Sequence, residues 1–110
     1  MVKSASTPLD LTFAALADPT RRSIIARLAA GPRTVTQLAA PLPMSLVATS
    51  KHIAVLERAG LVSRARSGRS QLCRLHPEAL REVTAWLDAY RGFWAGRLDG
   101  LDRYLSTEET

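Results

Sequence analysis

Apolar positions recur every three or four residues through most of the chain and alternate strictly in one stretch, a pattern that predicts helices around a single hairpin. Leu9, Phe13 and Leu16 define a short first helix. Asp18 is placed to cap a second helix with Pro19 at its first position, where a missing N–H costs nothing. Ile24, Ile25 and Leu28 line that helix, and Gly31-Pro32 ends it. Thr34 and Gln37 have capping-box spacing and open a short third helix through Ala40. Pro41 and Pro43 then force a turn, and Ser45 caps a fourth helix that ends at Gly60.

At about 100° per residue the fourth helix divides into two halves. Ala48, Thr49, His52, Ile53, Val55, Leu56 and Ala59 fall on a half suited to packing, which makes His52 a structural hydrogen-bonding histidine, with phosphate contact as its other reading. Leu46, Val47, Ser50, Lys51, Ala54, Glu57 and Arg58 fall on the other half, uncharged apart from Lys51 and its C-terminal end. Small uncharged side chains beside one lysine suit the floor of a DNA major groove; an ordinary buried helix is the competing reading.

After Gly60, Leu61 to Arg66 alternates, Ser67-Gly68 supplies a turn, and Arg69 to Leu75 alternates back with Arg66 and Arg69 flanking the tip. Short helices, a turn, a helix and an arginine-tipped hairpin make a winged helix-turn-helix, mainly α with a small β-hairpin wing. A last helix is expected to begin at Pro77, capped near His76, and to run to about Leu105. Leu80, Val83, Leu87, Tyr90, Trp94, Leu98, Leu101 and Leu105 form its stripe, which Trp86 and Phe93 widen to about 140°. Such a stripe exceeds what one small domain covers, so a two-fold homodimer is expected, with a fold-back over the same domain as the alternative. Gly92, Gly96 and Gly100 lie off the stripe, and each weakens the helix by about 0.8–1 kcal/mol relative to Ala.

The length of 110 residues suits one domain, divided as an arm over 1–8, a DNA-binding and dimerisation domain over 9–105 and a tail over 106–110. With 46% apolar residues the chain has material for a core, which argues against wholesale disorder. The net charge of +5 is concentrated: Lys51, Arg58, Arg64, Arg66, Arg69 and Arg74 face Glu57 within residues 51–74, and elsewhere the charges cancel. A basic block on a neutral scaffold has the character of a phosphate-binding surface. Arg21 and Arg22 divide evenly between phosphate contact and plain solvation.

The lone Cys73 excludes an internal disulfide framework and a four-cysteine zinc site. It reads as a packed or surface thiol before a redox sensor, and its spacing to His76 offers no catalytic pair. No G-x-S-x-G, P-loop or H-E-x-x-H motif occurs, so no enzyme activity, cofactor or metal is expected. No apolar run is long enough to span a membrane, and no signal peptide is indicated, so a cytoplasmic location is expected.

Ala15-Leu16-Ala17-Asp18-Pro19-Thr20-Arg21-Arg22 resembles the opening of the arsenical-resistance-repressor (ArsR) family of bacterial winged-helix regulators. Ser50-Lys51-His52-Ile53-Ala54-Val55-Leu56-Glu57-Arg58-Ala59-Gly60-Leu61-Val62 resembles that family's recognition helix and its exit. The resemblance spans about residues 9–105 and implies a dimeric DNA-binding transcriptional regulator, usually a repressor, joined through its first and last helices. Carried onto this chain, the groove-reading positions are Leu46, Val47, Ser50 and Lys51.

With Ser45 and the wing arginines Arg64, Arg66 and Arg69, these are the expected contacts to double-stranded DNA. Leu9, Phe13, Val83, Leu87, Tyr90, Trp94, Leu98 and Leu101 are the expected dimer contacts. Metal-sensing relatives carry cysteines on the third helix, where this chain has Thr34-Val35-Thr36-Gln37-Leu38-Ala39, or metal ligands on the last helix, which has no histidine here. The Trp86…Tyr90…Trp94 series looks like a non-metal branch, and the resemblance assigns no effector. A winged-helix module for protein–protein contact, and a redox-switched regulator using Cys73, are the alternative functions.

Overall fold

The computed structural model describes residues 7–93, 96, 100 and 105. In chain order they form α1 (Pro8–Leu16), α2 (Pro19–Ala29), β1 (Arg33–Thr34), α3 (Val35–Ala39), α4 (Leu46–Arg58), β2 (Val62–Ser67), β3 (Ser70–Leu75) and α5 (Glu78–Asp88). The result is the expected winged helix-turn-helix, with α3 and α4 as the paired helices and β2–β3 as the wing.

Local chemistry sets most boundaries. Thr7 and Asp10 form a reciprocal capping box at α1, with Pro8 in the first turn. Thr7 and Pro8, assigned from sequence to the arm over 1–8, therefore belong to the start of the helix. Asp18 accepts from the Arg21 amide at α2, Thr34 and Gln37 exchange bonds at α3, and Ser45 accepts from the Ala48 amide at α4. Helix α4 stops where Gly60 takes φ +77°, a conformation a side chain would strain. The Gly60 amide donates to Glu57 and the Leu61 amide to Leu56, which satisfies the last carbonyls in a Schellman arrangement.

The sheet has the order β1-β3-β2 and is antiparallel throughout. Ser67 pairs with Ser70, so the turn consists of Gly68 and Arg69, one residue later than the Ser67-Gly68 turn expected. Arg69 thus sits in the turn itself. Strand β1 pairs Arg33 with Cys73 and Thr34 with Leu72. Two residues cannot show an alternation, and the sequence pattern gave no sign of it.

Ile24, Leu38, Ile53, Leu56, Leu61 and Cys73 are fully buried, joined by Leu28, Val35 and Val62. Each large apolar side chain withdrawn from water contributes about 1.5–3 kcal/mol, so this centre holds the helices and the sheet together. Thr12 and Thr49 are also buried, their hydroxyls donating to the carbonyls of Pro8 and Ser45.

The last helix departs from expectation. Pro77, not His76, is its N-cap residue, and it makes no side-chain capping bond. His76 instead places Nε2 2.7 Å from Ser63 Oγ. Helix α5 ends at Asp88, residues 89–90 form a turn, and helical geometry resumes at 91–93. No residue of α5 is buried, so core packing does not enforce an unbroken helix, and Gly92 adds intrinsic weakness nearby. Most of the stretch expected to continue to Leu105, and the tail over 106–110, lie outside the described residues.

Candidate nucleic-acid interface

Helix α4 presents the two halves read from its sequence. Thr49, Ile53, Leu56 and Ala59 are buried, with Ala48, His52 and Val55 partly so. On the opposite side Leu46 and Val47 are 51% and 66% exposed, beside exposed Lys51 and half-buried Ser50. Two aliphatic side chains left in water at a helix start gain the isolated domain nothing.

An open groove of about 360 Å³ runs between that end and the wing, lined by Leu46, Val47 and Ser50 of α4, Thr36 of α3, and Arg69 and Gln71 of the hairpin. Apolar groups, hydroxyls, an amide and a guanidinium there match the mixed edges and phosphates of a duplex. Arg66 and Arg69 are exposed and take part in no ion pair among the described residues. Ser45 is exposed, and its hydroxyl holds the start of the helix.

Arg64 behaves differently from the other two wing arginines. Its Nη2 and Nε donate to Glu57 Oε1 at 2.6 and 3.1 Å, and its Nη1 donates to Ser50 Oγ at 2.7 Å. Its side chain is only 15% exposed. Expected as a DNA contact with the other two, Arg64 faces α4, where the carboxylate of Glu57 in the helix's last turn holds it. Glu57 and Gln71 were not among the candidate site residues. Glu57 was the sole acidic residue in the basic block, and that was the available signal.

Arg21 and Arg22, for which phosphate contact and solvation were the two readings, both bond within the fold. Arg21 donates through Nε to the Ala15 carbonyl at 2.7 Å and through Nη2 to the Ala14 carbonyl at 3.1 Å, while Arg22 Nη1 reaches Leu16 at 2.7 Å. Both satisfy carbonyls at the end of α1, where the helix dipole favours a cation. Arg27 does the same for α3, donating to Leu38 and Gln37 at 2.9 and 2.8 Å. These arginines join successive helices.

His52 has the structural role expected of it: Nδ1 lies 3.2 Å from Arg21 Nη1 and 3.9 Å from Asp18 Oδ2. The Arg21 amide, aided by the charges of His52 and Arg21, holds the Asp18 carboxyl below the usual carboxylate range. Cys73 is fully buried in the centre of the domain, and burial pushes its thiol up. A shielded thiol of raised pKa is a poor nucleophile, which weighs against a redox sensor. Among the described residues no group of three or more His, Cys, Asp or Glu side chains could hold a metal ion.

The expected dimer residues Leu9, Phe13, Val83, Leu87 and Tyr90 lie on α1 and on α5 or just past its end. Phe13 meets Trp86 edge-on at 5.5 Å between ring centroids, and Trp86 meets Tyr90 at 5.1 Å. Trp86, which served only to widen the stripe, thus helps to link the two helices. Phe13, Trp86, Leu87, Tyr90 and Phe93 all remain well exposed. The other expected dimer residues, Trp94, Leu98 and Leu101, lie outside the described residues.

Comparison with known proteins agrees with this arrangement. A helix-turn-helix domain model matches residues 16–64. The HTH-type transcriptional regulator Rv2034 of Mycobacterium tuberculosis is 39% identical over 99 residues, covering 90% of each chain. The arsenic resistance transcriptional regulator ArsR1 of Pseudomonas putida is 33% identical over 99 residues, covering 89% of this chain and 72% of its own. A crystal structure of an ArsR family transcriptional regulator superposes with a TM-score of 0.76 at 40% identity, covering 81% of this chain and 98% of that one. The relatives are DNA-binding regulators and not enzymes. With its helix-turn-helix, its wing and these relatives, the chain belongs to the ArsR family of winged helix-turn-helix transcriptional regulators.

Proposed function

We propose that the protein is a cytoplasmic repressor that binds a palindromic operator as a homodimer and acts by occupying it. The groove between the exposed start of α4 and Arg69 of the wing carries this reading. It fits a sugar–phosphate strand, with Leu46, Val47, Ser50 and Lys51 turned to the major groove on one side and Arg66 and Arg69 to the backbone or minor groove on the other. The exposed aromatic face on α1 and α5 supports the homodimer, because a second copy would bury Phe13, Trp86 and Leu87 against their counterparts. Two recognition helices related by a two-fold axis then meet half-sites about 10 bp, or a multiple of that, apart.

The test is selection from a randomised duplex pool, followed by fluorescence anisotropy on the enriched duplex and a scrambled control at two salt concentrations. One dimer per enriched site is expected. If the dimer neutralises 6–10 phosphates, affinity should fall by about 10³–10⁵ between 50 and 200 mM salt. Arg69→Ala should weaken binding to all sequences and lower the salt slope by about 0.9 for each phosphate it leaves unneutralised. Failure of the wild type to enrich any sequence would overturn the operator reading. Repression itself is read from a reporter placed behind the enriched site, where activation instead of silencing would reverse the sign of the proposed regulation.

A further inference from the structure

The wing and the recognition helix meet at one polar junction. Arg64 of β2 reaches back to α4, anchored by two bonds to Glu57 and donating through Nη1 to Ser50 Oγ at 2.7 Å. Weaker approaches of 3.4 Å lead to Gln71 Oε1 and the Ser50 carbonyl. The Glu57 carboxylate balances the guanidinium charge, so the fork is held in place by its own chain.

The consequence lies in the direction of the hydrogens. A guanidinium carries only donors, whereas a serine hydroxyl has one hydrogen and two acceptor lone pairs. The bond from Arg64 therefore takes one of the two lone pairs of Ser50 Oγ, and the guanidinium's hydrogens turn the hydroxyl hydrogen away from it. Its hydrogen is given to no acceptor among the described residues, and Ser50 lines the groove beside Leu46, Val47 and Arg69. A free serine reads a donor or an acceptor equally well; this one, with a lone pair taken by a cation and its hydrogen turned outward, is biased toward giving.

We propose that Arg64 is a positioning residue that fixes Ser50 as a hydrogen-bond donor, so that α4 selects a base offering an acceptor. In the major groove these are N7 or O6 of guanine, N7 of adenine and O4 of thymine, and the N4 donor of cytosine is disfavoured. The proposal rests on the DNA-binding reading above and adds to it the polarity of one contact and the residue that sets it.

The experiment uses the full chain and the operator enriched from the randomised pool. Anisotropy titrations on every single base-pair variant of that operator compare the wild type with Ser50→Ala, Ser50→Thr, Arg64→Met and the double variant Ser50→Ala/Arg64→Met. Ser50→Ala and Arg64→Met should each flatten the preference at the same base pair, by about three- to tenfold for one hydrogen bond. The double variant should be no flatter there than Ser50→Ala alone, and Ser50→Thr, which keeps the hydroxyl, should retain the preference. Replacing the acceptor atom of that base, with a 7-deazapurine for N7 or 4-thiothymine for O4, should weaken the wild type more than Ser50→Ala.

If Ser50→Ala keeps every preference on an operator the wild type does enrich, the proposal fails and the DNA-binding reading stands. If the wild type enriches nothing, both fail together. A weakening in Arg64→Met spread evenly over all sequences, with the salt slope lowered by about 0.9, would make Arg64 a phosphate contact and overturn its positioning role. Circular dichroism melts check that the variants fold. Should Arg64→Met not fold, Glu57→Gln, which loosens the anchor and keeps an acceptor, replaces it in the same comparison.

Discussion

Helices α4 and α5 are of similar length, 13 and 11 residues, yet they stand in opposite relations to the rest of the chain. Helix α4 is capped by Ser45, closed by Gly60 and buries Thr49, Ile53 and Leu56. Helix α5 has no side-chain cap and no fully buried residue; Ala79 and Leu80 at its start pack partly against the core, while Trp86 and Leu87 stand in the open with Phe13 of α1 beside them. Both are amphipathic. The difference is what covers the apolar side: the chain itself covers that of α4, whereas in α5 it covers the start of the helix and leaves Trp86 and Leu87 half open. An apolar side chain that is already covered contributes to folding, whereas an uncovered one can contribute only to association.

Equivalent truncations in the two helices test that distinction most strongly. Leu56→Ala should cost about 2–5 kcal/mol of folding stability, read by urea denaturation, because it opens a cavity in the packed centre. Leu87→Ala should leave the urea midpoint of dilute protein nearly unchanged and appear in the concentration dependence of assembly. Equal losses at the two sites would erase the contrast. Next in size, Leu87→Glu places a charge on the face assigned to the partner, and should weaken self-association by about 100-fold or more in sedimentation equilibrium. A dimer as tight as the wild type would move the interface elsewhere.

Capping gives a smaller effect. Ser45→Ala should cost about 0.5–2 kcal/mol by removing the bond to the Ala48 amide, measured by thermal or urea unfolding. Pro77→Ser, which supplies the side-chain cap α5 lacks, should raise helicity by circular dichroism. The smallest effect is at low pH. Asp18 is held below its ordinary 3.8 in the folded chain, so the stability it lends is complete above the unfolded value and is lost as pH falls through the lowered one. Asp18→Asn should flatten that acid limb while keeping an acceptor for the Arg21 amide. An unchanged limb would assign the acid sensitivity to other carboxylates.

Much of this was legible in one dimension because it depends on near neighbours. Caps at Asp18, Thr34 and Ser45 are local, as are the periodicity that divides α4 and the glycine at the hairpin tip. Strand β1 was not legible, since its two residues are a strand only by pairing with Cys73 and Leu72 almost forty positions away. The single terminal helix expected from the apolar period is interrupted at residues 89–90, where no fully buried residue of α5 enforces continuity; most of its stretch beyond lies outside the described residues.

Among charges the divide is clearer. Composition treated the arginines as one class and the fold separates them. Arg66 and Arg69 remain on the surface, Arg64 is anchored by Glu57, and Arg21, Arg22 and Arg27 hold helix ends. Spacing reveals that a cation is present and says nothing about which carbonyl or carboxylate from another element will stand opposite it.

The sequence by itself thus determined the order of elements, the inward and outward halves of α4 and the basic character of the segment from Lys51 to Arg74. Each follows from interactions between residues a few positions apart, or from simple sums of charge. The tertiary structure decided that Arg64 locks the wing to Ser50, that Cys73 lies beyond the reach of solvent, and that Trp86 joins α1 to α5 across an uncovered face. Those outcomes depend on which distant groups meet when the apolar centre closes, and packing settles them.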